Sequence, residues 1–257
     1  MTDPTPAPET PAAKPVWFNG ARAGYVALGV SVIALGLAAA PYFTGGASVR
    51  AYLLKHPEVL QEASAALSQK ENLARVDDIN QAAAANAGLL APDDRDPSFG
   101  PKDAKVTVIE FFDFRCPGCK AVAHDYRALM AAHPEVRFVF KDWPILDRGE
   151  DVTSQYAARA ALAAHQQGKY LEVYDALMSE RALSIEAIDR ILGEHGVDMT
   201  RAKTVLASPE MTRHIADIHT TAAALRLQGT PSFFVNGKAS AGIDPVEIGR
   251  MIEAAKR

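Results

Sequence analysis

Cys116 and Cys119 are the only cysteines in 257 residues, and they stand in the motif Cys116-Pro117-Gly118-Cys119. An apolar run, Val106-Thr107-Val108-Ile109-Glu110-Phe111-Phe112, precedes them, and a helix-patterned stretch over residues 120–132 follows. The order predicts a buried strand that delivers the pair onto the first turn of a helix. At that turn the unpaired backbone N–H groups and the helix dipole favour a thiolate on the first sulfur. A structural disulfide is disfavoured, because closing so small a loop restricts the unfolded chain little. A zinc site needs four ligands, and no second C-x-x-C or paired histidine motif completes one. Two soft thiolates suffice for Cu(I), so metal handling by Cys116 and Cys119 stands as an alternative to thiol–disulfide exchange.

The net charge of −4, with acids and bases interspersed, leaves no basic face for nucleic acid. Residues 1–22, rich in Pro, Ala and Thr, predict a disordered tail. Residues 23–49 carry no charge, and the apolar part, 23–43, has about the length needed to cross a bilayer. A membrane anchor is therefore expected there. A cleaved signal sequence is the alternative: Ala38-Ala39-Ala40 resembles a cleavage site, but cutting there would leave Pro41 first, which is unfavourable. Lys14 and Arg22 on one side balance Arg50 and Lys55 on the other, so charge does not orient the segment. A lone C-x-x-C behind an export-type segment suits an oxidising compartment, which places the bulk of the chain in a bacterial periplasm.

Beyond the anchor, Ser48 can cap a short helix over 49–55, and Pro57 suits the first turn of the next. Residues 48–90 predict a helical stalk whose narrow apolar stripe invites homo-oligomerisation; a solvated spacer helix is the plainer reading. A polar, proline-bracketed linker over 91–97 leads to a catalytic domain over 96–257. Its pattern is strand 106–112, helix 116–132, strand 136–140, a helical insertion over about 148–227, a hairpin turning at Asn236-Gly237, and a closing helix at 245–256. The fold class is α/β.

Three motifs in this order resemble those of the DsbA-like thioredoxin-fold oxidoreductases. They are the segment from Phe111 to Lys120 around the cysteines, Lys141-Asp142-Trp143-Pro144-Ile145-Leu146, and Gly229-Thr230-Pro231-Ser232-Phe233-Phe234-Val235-Asn236-Gly237. Val49-Arg50-Ala51-Tyr52-Leu53-Leu54 and His56-Pro57-Glu58-Val59-Leu60 resemble the N-terminal region of the suppressor-of-copper-sensitivity members (ScsC), where that region builds an oligomerising stalk. The resemblance implies a thioredoxin fold with an inserted helical domain and no cofactor. It also implies exported protein substrates and a membrane redox partner.

It further assigns roles. Cys116 is the implied nucleophile and Cys119 the buried resolving thiol. Pro117-Gly118 tunes the pair and, lacking the histidine of some members, implies a less stabilised thiolate and a less oxidising couple. Glu110 sits in an apolar run, where a carboxylate is costly unless paired or protonated. The resemblance places it beneath Cys119 as a proton carrier with Lys141 as its partner; a solvated strand edge is the alternative. Pro231 resembles the cis-proline that faces the disulfide, and Thr230 before it resembles the choice of isomerases and reductases rather than the valine of typical oxidases. The expected activity is thus disulfide isomerase or reductase, with a DsbA-like oxidase as the alternative. The seven histidines are scattered and suggest no metal site.

Overall fold

A computed structural model describes residues 20–257; within its first helix, side chains are described for residues 24–39 and 48–55. The expected disordered tail lies almost entirely outside the described residues. Contacts divide the chain into two units, Met1–Leu67 and Ser68–Arg257.

In the first unit, α1 (Gly20–Lys55) runs as one helix through the segment where an anchor and a separate short helix were expected. His56 N still bonds Tyr52 O at 2.8 Å, and Pro57, which has no N–H to offer, ends the ladder before α2 (Glu58–Ala85) begins. Among the described residues no helix is long and apolar enough to cross a membrane. The expected span over 23–43 therefore has no described counterpart.

The second unit is built on a five-stranded sheet of order β1-β3-β2-β4-β5. The strands are β1 (Ser98–Phe99), β2 (Thr107–Phe112), β3 (Arg137–Asp142), β4 (Ser232–Val235) and β5 (Lys238–Ala239). β2 and β3 are parallel, joined across one face by α3 (Pro117–Ala132). β1 and β4 add antiparallel on either side of that pair, and β5 pairs with β4 through a turn with Asn236 and Gly237 at φ 46° and 79°. Those left-handed values are what a two-residue hairpin of the favoured twist demands.

Side chains alternate across the sheet, so each strand feeds two cores. Val108, Phe112, Phe138, Phe140 and Phe233 pack under α3 and α9 (Pro245–Ala255), and this core continues into α4 (Thr153–His165) and α5 (Tyr170–Ser179). Ile109, Phe111, Val139 and Phe234 face the other way, against Ile218 and Ala222 of α8 (Pro209–Ala224) and Ile79 and Ala83 of α2. The insertion is completed by α6 (Ile185–Glu194) and α7 (Met199–Leu206). Ser184, Asp198 and Ser208 cap α6, α7 and α8 by accepting backbone N–H bonds, as short polar residues at helix starts do.

The boundary between the two units falls within the range 48–90 expected as a stalk. From Ser68 onward that range belongs to the unit that holds the sheet: Asn72 Nδ2 donates to Ala241 O at 2.9 Å, and Asn80 Oδ1 accepts from Ala239 N at 2.8 Å. Its sequence hid this, because the buried residues of α2 are Ile79, Ala82 and Ala83, and alanine is equally at home on a solvated helix. Ile79→Ala should lower unfolding stability by ~2–5 kcal/mol in urea titrations. Leu73→Ala, at an exposed position of the same helix, should stay within about 0.5 kcal/mol of the parent.

Candidate active site

β2 ends at Phe112, and the turn that follows is tied down by one buried carboxylate. Asp113 Oδ1 accepts from Arg115 N at 2.8 Å and from Ser154 Oγ at 2.9 Å. Its Oδ2 accepts from Ile145 N at 2.8 Å and Leu146 N at 3.1 Å. The Asp113 carbonyl then receives Cys116 N at 3.0 Å. Arg115 is held outward by Asp147 and Asp151, at 3.3 and 2.7 Å, and Asp147 also caps α4 through Ser154 N and Gln155 N. Cys116 consequently arrives as the N-cap of α3, with Pro117 at the first helical position, where its missing N–H costs nothing.

Both cysteines are free thiols. Cys116 retains 8% of its surface and Cys119, one turn further in, retains none. Cys116 Sγ lies 3.1 Å from the carbonyl of Thr230, to which the thiol donates. The Cys116 thiol is pulled down to about 5, chiefly by the hydrogen bond from the Cys119 thiol. Burial opposes this, and the Thr230 side chain and the backbone N–H groups of Cys119 and Gly118 reinforce it. Although Pro117-Gly118 brings no cation, the helix start and Thr230 together supply the donors. Cys119 is pushed far up, first by burial, then by its bond to Cys116 and by the neighbouring Glu110.

Glu110 is fully buried, on the face of β2 that lies under α3, and the solvated-edge alternative fails. Its carboxyl is held well above the usual range, mainly by desolvation and then by the nearby Asp142; the Tyr174 hydroxyl offsets this in part. The expected partner is not there. Lys141 stands opposite Phe111 in the parallel register, on the other face of the sheet, and its Nζ lies 2.5 Å from Asp96 Oδ2. Asp96 also meets His214 Nε2 at 3.3 Å. A side chain one position out of register with Glu110 is carried to the opposite core, which is why Lys141 cannot reach it.

The Thr230–Pro231 peptide is cis. Gly118 sits against it: a β-carbon there would come within 3.3 Å of Pro231 Cδ and 3.7 Å of both Cys116 Sγ and Ile243 Cδ1. The two central motif residues therefore differ in use, Pro117 starting the helix and Gly118 leaving room for the facing proline. Lys120 ties α3 to the insertion by donating to Leu177 O at 2.8 Å, Met178 O at 3.2 Å and Glu180 O at 2.9 Å, beyond the end of α5. His124 points away, with a side chain 95% exposed.

Asp113, Asp142, Asp96 and the buried tyrosines Tyr126, Tyr170 and Tyr174 escaped the sequence reading. Asp113 and Asp142 each close an apolar run, as conspicuous in that respect as Glu110. No group of three or more His, Cys, Asp or Glu able to hold a metal ion occurs among the described residues. A cavity of about 820 Å³ lined by Asn80, Leu90, Thr107 and Lys238 includes neither cysteine. A cleft of about 50 Å³ lined by Arg75, Pro231 and Ile243 adjoins them. Cys116 thus stands beside a shallow cleft, with Cys119 wholly buried behind it.

Residues 107–249 match the family model described as DSBA-like thioredoxin domain. The chain belongs to that family. Residues 46–72 match a second model, the copper resistance protein ScsC N-terminal domain. Among solved structures, a thioredoxin-like oxidoreductase of Silicibacter pomeroyi is 38% identical, covering 64% of this chain and 94% of that one at a TM-score of 0.59. BcfH of Salmonella enterica Typhimurium is 26% identical, covering 88% of this chain and 100% of that one at a TM-score of 0.63. A probable disulfide bond formation protein D of Bacillus anthracis is 29% identical over 54% of this chain and 69% of its own length. An Na(+)/H(+) antiporter NhaA of Salinispora tropica is 35% identical over 56% of this chain but only 22% of its own length. The chain therefore spans about a quarter of the antiporter relatives it matches. As a member of the DSBA-like family it has a thioredoxin-like α/β fold.

The low Cys116 thiol has a consequence for folding. A depressed thiol contributes stability that is fully present above its unfolded value, here 9.0, and lost as pH falls through about 5. Reduced protein should therefore gain stability over Cys116→Ser as pH rises between these limits, seen as a widening gap in urea midpoints. A constant gap would mean that the thiolate is not stabilised by the fold.

Proposed function

We propose that Cys116 and Cys119 are the redox pair of a disulfide isomerase or reductase that works on exported proteins outside the cytoplasm. The observation that carries a thiol–disulfide redox pair is two free sulfurs one helical turn apart. Cys116 stands at the surface against the cis Thr230–Pro231 peptide, its thiol lowered to about 5, and Cys119 is wholly buried, its thiol raised by that burial. Cys116 is then a thiolate at neutral pH and attacks one sulfur of a substrate disulfide, the other leaving as a thiolate that takes a proton from solvent. The result is a mixed disulfide between Cys116 and the substrate. In reduction, Cys119 loses its proton to Glu110 and attacks Cys116 Sγ, the substrate sulfur departs as a thiolate, and an internal disulfide remains. In isomerisation, the freed substrate thiolate instead attacks another of its own disulfides, and Cys119 serves as the escape route.

An extended substrate beside Pro231 meets the backbone of Thr230 at the rim of the cleft. The shallow surface suits a polypeptide better than a small molecule. Thr230 in place of valine favours the isomerase or reductase direction. The low Cys116 thiol favours a second reading, a disulfide donor, because stabilising the reduced form makes a couple more oxidising.

The exposed side chains Val26, Leu28, Val30, Val32, Ile33 and Leu35 need an apolar environment, which supports a leader or tether of an exported, periplasmic protein. Tyr52, Leu54, Leu60 and Leu67 are likewise exposed and support self-association through residues 48–67. A membrane protein that resets the redox state of Cys116 and Cys119 completes the scheme.

Cys116→Ser should abolish insulin reduction, while Cys119→Ser should accumulate mixed disulfides that resolve only on adding an external thiol. Scrambled ribonuclease should regain activity with the full chain. Deleting residues 48–67 should remove that recovery while sparing insulin reduction; unchanged recovery would sink the role given to the N-terminal segment. The pair trapped in living cells should be mostly reduced, and a mostly oxidised pair would select the disulfide-donor reading.

A further inference from the structure

Asp142 is a buried acid that the steps above do not use. It lies at the end of β3 on the same sheet face as Glu110, because Glu110 stands opposite Phe140 and Asp142 is two residues beyond. With parallel strands about 4.8 Å apart and a rise of about 3.3 Å per residue, such diagonal neighbours lie about 8 Å apart between backbones, within reach of two side chains. Both acids are excluded from solvent. Asp142 Oδ2 accepts a well-formed bond from Tyr170 OH at 2.9 Å, whereas the Tyr174 hydroxyl near Glu110 offsets its burial only in part and Asp142 Oδ1 has no partner. The one basic side chain of β3 pointing inward, Lys141, is spent on Asp96 across the sheet.

We infer that Asp142 and Glu110 form a carboxyl pair sharing a single proton, in which Asp142 holds the negative charge and keeps Glu110 protonated beneath Cys119. Two like charges in one dry compartment cannot both persist, so the pair titrates as a unit. The Tyr170 hydroxyl decides which member carries the charge, since a donated hydrogen bond favours the ionised form. Each acid is also pushed upward by burial, as expected of such a compartment. The other titratable groups around the pair are Cys116, Cys119 and Tyr126 from α3, Tyr170 and Tyr174 from α5, and Asp113 after β2. His165 of α4 stands outside Tyr170, ring to ring at 5.8 Å, and Asp96 acts on Asp142 through the sheet. No cation among these faces the two acids. Asp142 is a positioning residue, acting on Cys119 only through Glu110.

The role follows from the proposed reaction. When Cys119 attacks the mixed disulfide, its proton goes to the pair, a Cys116–Cys119 bond forms, the Cys116–substrate bond breaks, and the electrons leave with the substrate sulfur. Glu110 accepts that proton only once it has lost its own, and the Asp142 charge delays that loss to higher pH. Removing the charge should make the base available at lower pH.

The test is the pH dependence of resolution. The full chain is loaded with a cysteine peptide on Cys116, and peptide release is followed by stopped flow from pH ~5 to ~9. For Asp142→Asn the acid limb should move down by about one unit or more. Tyr170→Phe should move it the same way, by less, and serves if Asp142→Asn does not fold. Glu110→Gln should erase the limb, and adding Asp142→Asn to it should shift nothing further. A limb that persists in Glu110→Gln would overturn the use of Glu110 itself. A limb erased by Glu110→Gln but unmoved in Asp142→Asn and Tyr170→Phe, even if all rates fall, would overturn the pair alone.

Discussion

The Asp113 carboxylate, on which four donors from three separate segments converge, is the junction that makes the cysteine turn possible. Arg115 N comes from the turn itself, Ile145 N and Leu146 N from the segment after β3, and Ser154 Oγ from the first turn of α4. Strand end, crossover strand and helical insertion thereby share one buried group. A carboxylate away from water is tolerable only when so fully bonded. With the turn held, Cys116 falls at the N-cap of α3, and its low thiol follows from the donors gathered there.

The alternation of β2 then sorts the chemistry. Glu110 and Phe111 are neighbours in sequence yet enter different cores: Glu110 meets the sulfurs, tyrosines and Asp142, while Phe111 meets Trp143, Phe234 and the α8 side. Lys141 and Asp142 are divided in the same way one strand over. The two faces therefore do different work. One holds acids in a dry compartment beneath the thiols, and the other pairs its charges, Lys141, Asp96 and His214, where they link the linker to β3 and α8.

Much of the site was legible because its signals are local. A C-x-x-C motif after an apolar run defines a strand and a helix start, and Asn236-Gly237 defines a hairpin. What was not legible depends on partners far away in sequence. Lys141 was expected as the counter-ion of Glu110 because the resemblance implied that pairing. The register, set when α3 lays β3 beside β2, puts them one residue out of step. Ile79 and Ala83 looked like parts of a stalk because nothing in α2 shows that Ile109 and Val139 will cover them.

By itself the sequence determined the strand before Cys116, the helix start at Cys116-Pro117-Gly118-Cys119, the turn at Asn236-Gly237, and that the chain is α/β with a helical insertion. Each of these follows from short-range backbone geometry, which a few adjacent residues dictate. Only the tertiary structure decided which charges meet and which acids lose water. It gave Asp96 to Lys141, left Glu110 and Asp142 together, and joined the second half of α2 to the sheet. Burial and electrostatics arise from elements that meet in space, and no stretch of sequence carries that meeting alone.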